Sequence, residues 1–295
     1  MSPFSRRDFL KTSLAASAAA GLGTLPLTAA ASQTAASSVT LGKSGITVTR
    51  LAFGTGTDNG YVQASLGQQE FTRLVHYAYD HGIRFFETAE AYVTPAMLGQ
   101  ALKPFPRDSY QLMSKVTTDP DANPQQRLDQ MRHTSQTEYF DIMLLHYQHT
   151  PDWVSQTARW QDGFLQAQSK NIIRARGASV HGLPALRQVP GNKWLQIAMI
   201  RMNHKGTRMD GPTWDDTNNP ASVPEVVQHV HQAHREGMGV ISMKLVGDGV
   251  FTRHEDRQAA MRFAFQNAGV DAVTVGFKNT QEIDEAINNL NLALA

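Results

Sequence analysis

The chain of 295 residues contains no cysteine, which excludes disulfides, thiol nucleophiles and cysteine-ligated iron–sulfur clusters. It also lacks an excess of one charge. Its 27 Lys and Arg stand against 26 Asp and Glu, and no basic run occurs beyond the N-terminal eleven residues. Nucleic acid is therefore not an expected partner. No run of about twenty strongly apolar residues is present, as a membrane span would need. The GTG of LAFGTGTDNG lacks the third glycine and the immediate helix of a doubly wound dinucleotide-binding turn. Repeats at a solenoid period are absent too.

What is present begins with SRRDFLK, Ser5 to Lys11, ahead of an Ala-rich stretch to Leu27 and small residues at Ala29 to Ala31. Paired arginines, a mildly apolar segment and a small-residue cleavage site resemble a twin-arginine (Tat) export signal. Residues 1–31 are accordingly expected to be a signal peptide handled by the twin-arginine export machinery, with the periplasm as destination. Residues 32–38 (SQTAASS) read as a linker and 39–295 as one domain.

That domain opens on VTLGKSGITV, which alternates apolar residues around GKSG and predicts a hairpin. Short apolar runs then alternate with helix-period segments. Strands are expected at Leu51–Phe53, Ile83–Phe86, Gln111–Ser114, Asp141–Leu145, Ile173–Ala178, Leu195–Ile200, Val240–Met243 and Ala272–Val275. DWVSQTARWQDGFLQAQSK, VPEVVQHVHQAHREG and TQEIDEAINNLNLAL are among the helices between them. Eight such alternations predict an α/β fold, a (β/α)8 TIM barrel with an N-terminal β-hairpin.

In such a barrel the C-terminal strand ends form the mouth that carries chemistry. Glu87 ends the second strand and Tyr92 follows it, Lys115 closes the third and His146 the fourth. Adjacent strands lie about 4.8 Å apart, so these side chains meet. A phenol titrates near 10, but an ammonium about 4 Å away is worth up to ~4 kcal/mol at intermediate dielectric, enough to draw it toward neutral pH. Tyr92 then serves as proton donor and acceptor. Glu87 holds Lys115 charged and in place, and His146 orients a carbonyl.

FFETAEAYVTPAMLGQAL, LMSKV and YFDIMLLHYQ resemble, in order and spacing, the three catalytic segments of the aldo-keto reductases, and the likeness extends through GASVHG, GMGVISMKLVGDG and VGFKNTQEIDEAINNL. The resemblance implies hydride transfer between a nicotinamide cofactor, NADP(H) with NAD(H) as the alternative, and a small-molecule aldehyde or ketone. Its Tyr, Lys and His fall on Tyr92, Lys115 and His146, with Glu87 where the family has Asp. Cofactor contacts implied by it fall on Ser179, on the loop Leu245 to Gly249 (with Gly247) as a pyrophosphate cover, and on Gly276 to Thr280, with Lys278 and Asn279, beside a phosphate. The family's carboxamide-binding Asn and Gln become Val180 and Met199, with His181 or Asn203 as substitutes. Its stacking aromatic becomes Met202, and an Arg that often grips the NADP phosphate becomes Glu282.

Two rival functions share these residues: a cofactor-free sugar isomerase or lyase, and a catalytically quiet nucleotide-binding protein. His229, His231 and His234 read as a solvated helix face, so no metal is expected. Glu90 reads as a loop carboxylate and Met243 as core filler. Trp153 and Trp214 are candidates to line the pocket. Substrate identity and oligomeric state have no code in the sequence.

Overall fold

The computed structural model describes residues 34–213, 215, 218 and 220–295. The expected signal, residues 1–31, lies outside the described residues, as does Trp214. No helix among the described residues is long and apolar enough to cross a membrane. Residues 34–37, within the expected linker, are tied to the domain. Ala35 is buried and donates its N–H to Asn291 Oδ1 at 2.7 Å.

The expected hairpin is present, with β1 (Ser38–Thr40) antiparallel to β2 (Thr47–Thr49) and Val39 opposite Val48. Leu41 and Val48 are buried in one cluster with Ala52, Phe85 and Ile142 from inside the barrel. The hairpin thus closes the end of the barrel from which its strands start.

Eight parallel strands form that closed barrel: β3 (Leu51–Gly54), β4 (Phe85–Glu87), β5 (Gln111–Val116), β6 (Phe140–Gln148), β7 (Ile173–Val180), β8 (Ile197–Arg201), β9 (Gly239–Met243) and β10 (Ala272–Gly276). Each pairs with its successor and β10 returns to β3. Between them run α1 (Tyr61–Ala64), α2 (Gly67–Asp80), α3 (Pro95–Leu102), α4 (Pro124–Thr134), α5 (Trp153–Gln156), α6 (Ala158–Ser169), α7 (Leu183–Leu186), α8 (Val223–Arg235) and α9 (His254–Arg262), and α10 (Thr280–Leu294) follows the last strand.

Local chemistry sets the helix ends. Asn123 Oδ1 accepts the N–H groups of Gln125 and Gln126 at 3.0 and 3.2 Å, and Pro124 begins α4 where a missing N–H costs nothing. The single helix expected over 152–170 is two, α5 and α6. The break falls at Thr157, whose φ of −102° leaves helical geometry while its hydroxyl donates back to Trp153 O at 2.8 Å.

Strand residues alternate between two cores. Phe86, Met143 and Leu145 face the helices, and Phe85, Ile142 and Leu144 fill the barrel. In the outer layer Phe53 packs on Phe71, Phe86 and Phe277 at ring separations of 6.1, 6.2 and 5.5 Å. Burying each such ring stabilises the fold by about 2 kcal/mol.

Candidate active site

The same period of two carries the barrel interior up into its mouth. Two residues beyond inward-facing Phe85, Met113 and Leu144 come Glu87, Lys115 and His146, one per successive strand. Tyr92 reaches the group from the β4–α3 loop. That loop is fixed by Tyr92 N–H donating to Ala89 O at 3.1 Å and by Thr94 Oγ1 donating to Thr55 Oγ1 at 2.9 Å. The four residues read from the sequence as catalytic therefore converge.

Lys115 is buried, its ammonium ion-paired with Glu87 Oε1 and donating to Thr88 O at 2.8 Å. Glu87 Oε2 accepts from Thr274 Oγ1 at 3.3 Å. Lys115 Nζ stands 4.7 Å from the centre of the Tyr92 ring, and the His146 ring meets Tyr92 edge to face at 5.7 Å. The lysine thus addresses the face of the phenol as a cation–π partner.

This geometry corrects one expectation. Burial, with the Asp248 carboxylate adding to it, raises the Tyr92 phenol above its ordinary value instead of lowering it. Desolvation disfavours phenolate more than an ammonium over the ring favours it. Tyr92 is held as a protonated acid. Burial, and then the ammonium of Lys244, likewise push Lys115 well down, against which its contact with Glu87 acts. His146 is pushed down to about 3 by burial and by the Lys115 and Lys244 ammoniums. Its imidazole is neutral at physiological pH and can donate one hydrogen bond while accepting another.

From this mouth a cleft of about 540 Å³ runs to the start of α10. Its lining includes Glu87 and Tyr92 at one end, Leu245 and Gly276 along it, and Lys278 and Glu282 at the other. A volume of that order suits a small-molecule or cofactor site. A more open depression of about 680 Å³, lined by Ala96, by Arg132 to Thr134 and by Gln136 to Glu138, holds none of the four converging residues.

The residues expected to touch a cofactor divide. Leu245, Gly276 and Lys278 line the cleft, whereas Ser179, Asn203, Gly247 and Asn279 do not. Asn203 uses its amide locally: Nδ2 donates to Thr207 O and Lys244 O, and Oδ1 accepts from the N–H groups of Lys205 and Thr207. It is thereby removed as a carboxamide partner. Asn279 caps α10, its Oδ1 accepting Glu282 N–H at 2.9 Å. Ser179 is buried and accepts Tyr147 N–H at 3.2 Å.

His181, two residues on from Ser179, accepts hydrogen bonds from Arg201 at Nδ1, with Nη2 at 2.6 Å. That fixes the proton on Nε2, which is buried without a partner among the described residues. Met202 packs in the outer layer, and the methionines that line the cleft are Met199, Met243 and Met261. Val246, Asp248 and Gly249 of the expected cover loop line it with Leu245, and so do Gly54, Gln63, Thr274 and Asn289, which the sequence reading does not single out. Gly54 and Thr274 hold inward positions, two residues beyond the inward-facing Ala52 and Ala272, and the strand period alone points to them.

Other candidates resolve structurally. Trp153 is buried and donates to Ala185 O at 3.2 Å, so it packs a loop. Glu90 pairs with Arg127 at 2.9 Å and accepts Thr117 N–H at 3.0 Å. His229 and His234 face Glu225 and Asp271 at 3.5 and 3.6 Å, and His231 contacts Asn267 O at 3.0 Å.

The family model described as "Aldo/keto reductase family" matches residues 50–261, and the twin-arginine translocation pathway signal model matches residues 3–23. "Probable aldo-keto reductase 1" of Glycine max is 36% identical over 80 residues, 26% of this chain and 23% of that protein. Methylglyoxal reductase DkgA of Yersinia pestis is 29% identical over 132 residues, 44% of this chain and 46% of that protein. The chain thus matches less than half the length of these curated relatives. An aldo-keto reductase from Klebsiella pneumoniae, solved in complex with NADPH, shares the fold with a TM-score of 0.63 at 17% identity, covering 90% of this chain and 91% of that one.

Proposed function

Because the chain belongs to the aldo/keto reductase family, we propose that it is an exported oxidoreductase that transfers a hydride between a nicotinamide dinucleotide and the carbonyl carbon of an aldehyde or ketone. The observation that carries this reading is the cleft joining Glu87 and Tyr92 to α10, which a cofactor-free sugar enzyme would not need. Two buried acceptors on it, Gln63 Oε1 and Asn289 Oδ1, have no partner among the described residues and fit a ligand that brings N–H and O–H groups. The NADPH-bound Klebsiella pneumoniae enzyme supports the same cofactor class.

Gly276, Lys278 and Leu245 would hold the dinucleotide along the cleft, and His181 Nε2–H is the available donor near Ser179. When bound, the nicotinamide supplies or receives the hydride. Tyr92 holds the proton that passes to the carbonyl oxygen, and its burial keeps that proton in place until an alkoxide develops. Neutral His146 donates to the same oxygen and sets its angle. The Lys115 ammonium over the ring stabilises the phenolate left after transfer, and Glu87 fixes the lysine. The Tat match supports export with the periplasm as compartment, residues 1–31 as the removed segment and 39–295 as the enzyme.

Titration with NADH and NADPH, followed by carbonyl reduction in Tyr92→Phe, tests the reading. Binding of at least one nucleotide is expected, with turnover falling at least about a hundredfold in the variant while binding is kept. Absence of binding by both nucleotides, or unchanged turnover in the variant, would overturn it.

A further inference from the structure

The end of the cleft at α10 is rich in acceptors and has its cations already matched. Gln63 Nε2 donates to Thr57 Oγ1 at 3.4 Å and Asn289 Nδ2 to Glu285 Oε1 at 3.5 Å. These bonds orient both amides so that their unpartnered oxygens remain for a ligand. Three cations line the cleft, each beside a carboxylate. Lys244 Nζ meets Asp248 at 3.0 Å, and Lys278 Nζ lies 3.6 Å from Glu282. Arg257 grips Glu285 through two nitrogens at 2.6 and 2.7 Å and gives its remaining nitrogen to Phe251 O and Thr252 O. Glu87, the remaining carboxylate of the lining, is held by Lys115.

Glu282, Glu285 and Asn289 follow one another on α10 at helical spacings of three and four, which puts them on one face. A dinucleotide lying along the cleft with its nicotinamide beside Tyr92 would bring its other ribose and base to this face. A ribose diol brings two O–H donors that a carboxylate accepts. A phosphomonoester there brings only acceptors and a charge of about −2. Glu282 further takes the backbone N–H of Lys278 at 3.0 Å, so this segment offers a phosphate less than its lysine suggests.

We propose that Glu282, Glu285 and Asn289 make this end of the cleft a receptor for an unphosphorylated adenosine ribose, so that the protein prefers NAD(H) to NADP(H). The proposal rests on the dinucleotide reading above and reverses the NADP(H) preference that the family resemblance implies.

Calorimetric titration of the mature protein with NADH, NADPH, 5′-AMP and adenosine 2′,5′-bisphosphate tests it without recourse to turnover. NADH is expected to bind at least about tenfold more tightly than NADPH, with 5′-AMP favoured over the bisphosphate in the same sense. The gap should narrow as salt rises, because part of it is charge repulsion. Glu282→Arg should shift the NADPH to NADH affinity ratio at least about tenfold toward NADPH. Equal or tighter NADPH binding by the unaltered protein overturns the preference while leaving the dinucleotide reading standing. Failure of all four nucleotides to bind overturns both. An unchanged ratio in folded Glu282→Arg overturns the role of that residue, and the unaltered protein's four affinities decide the preference if the variant does not fold.

Discussion

Thr274 on β10 donates its hydroxyl to Glu87 Oε2 at 3.3 Å, while Glu87 Oε1 holds Lys115. The two oxygens of one carboxylate are therefore divided between two strands. Gly54 makes room for this: a Cβ there would lie 3.1 Å from Glu87 Oε2 and 2.7 Å from Thr274 Oγ1. The extra methylene of Glu, where the family has Asp, is thus accommodated by a small neighbour and anchored by a hydroxyl.

Glu87→Asp should consequently impair this protein despite matching the family residue. Shortening the side chain draws it away from Lys115 or Thr274, and a misplacement of about 1 Å can cost about a hundredfold in rate. We expect kcat/KM to fall at least tenfold in Glu87→Asp and by a smaller factor in Thr274→Val, measured with a fixed aldehyde. Equal or higher activity in Glu87→Asp would show that the longer carboxylate is not matched to its surroundings.

The barrel was legible because period-two runs of apolar residues alternate with capped helical segments, and the same periodicity aimed Glu87, Lys115 and His146 at one point. What the sequence did not carry was distance and burial. Lys115 stands over the Tyr92 ring, and the phenol is raised where a nearby charge alone would lower it. Asn203 looks available until its loop contacts are visible, and Gln63 and Asn289 look ordinary without the cleft that leaves their oxygens unpartnered.

Gly56 separates site geometry from stability. Its φ of −104° and ψ of 5° are open to any residue, yet a Cβ would lie 2.5 Å from the Tyr92 ring carbons and hydroxyl. Gly56→Ala should displace the phenol at little cost to the backbone. Activity should fall at least tenfold with the melting temperature changed by only a few degrees, since no core contact is removed. A large drop in melting temperature would mean that the glycine serves the fold instead.

His146 should leave a mark on acid stability. Its folded value of about 3 lies below the ordinary histidine value of 6.5, so the unfolded chain binds the proton more readily. Stability from the neutral ring is complete above about 6.5 and is lost as pH falls toward 3, with a slope of at most about 1.4 kcal/mol per pH unit. Urea unfolding of the unaltered protein and of His146→Gln at pH 7, 5.5 and 4.5 measures that contribution directly. The unaltered protein should lose more stability on acidification than the variant, because His181 and the other titrating groups are common to both. Parallel losses would show that the His146 ring accepts a proton in the folded protein as readily as in the unfolded chain.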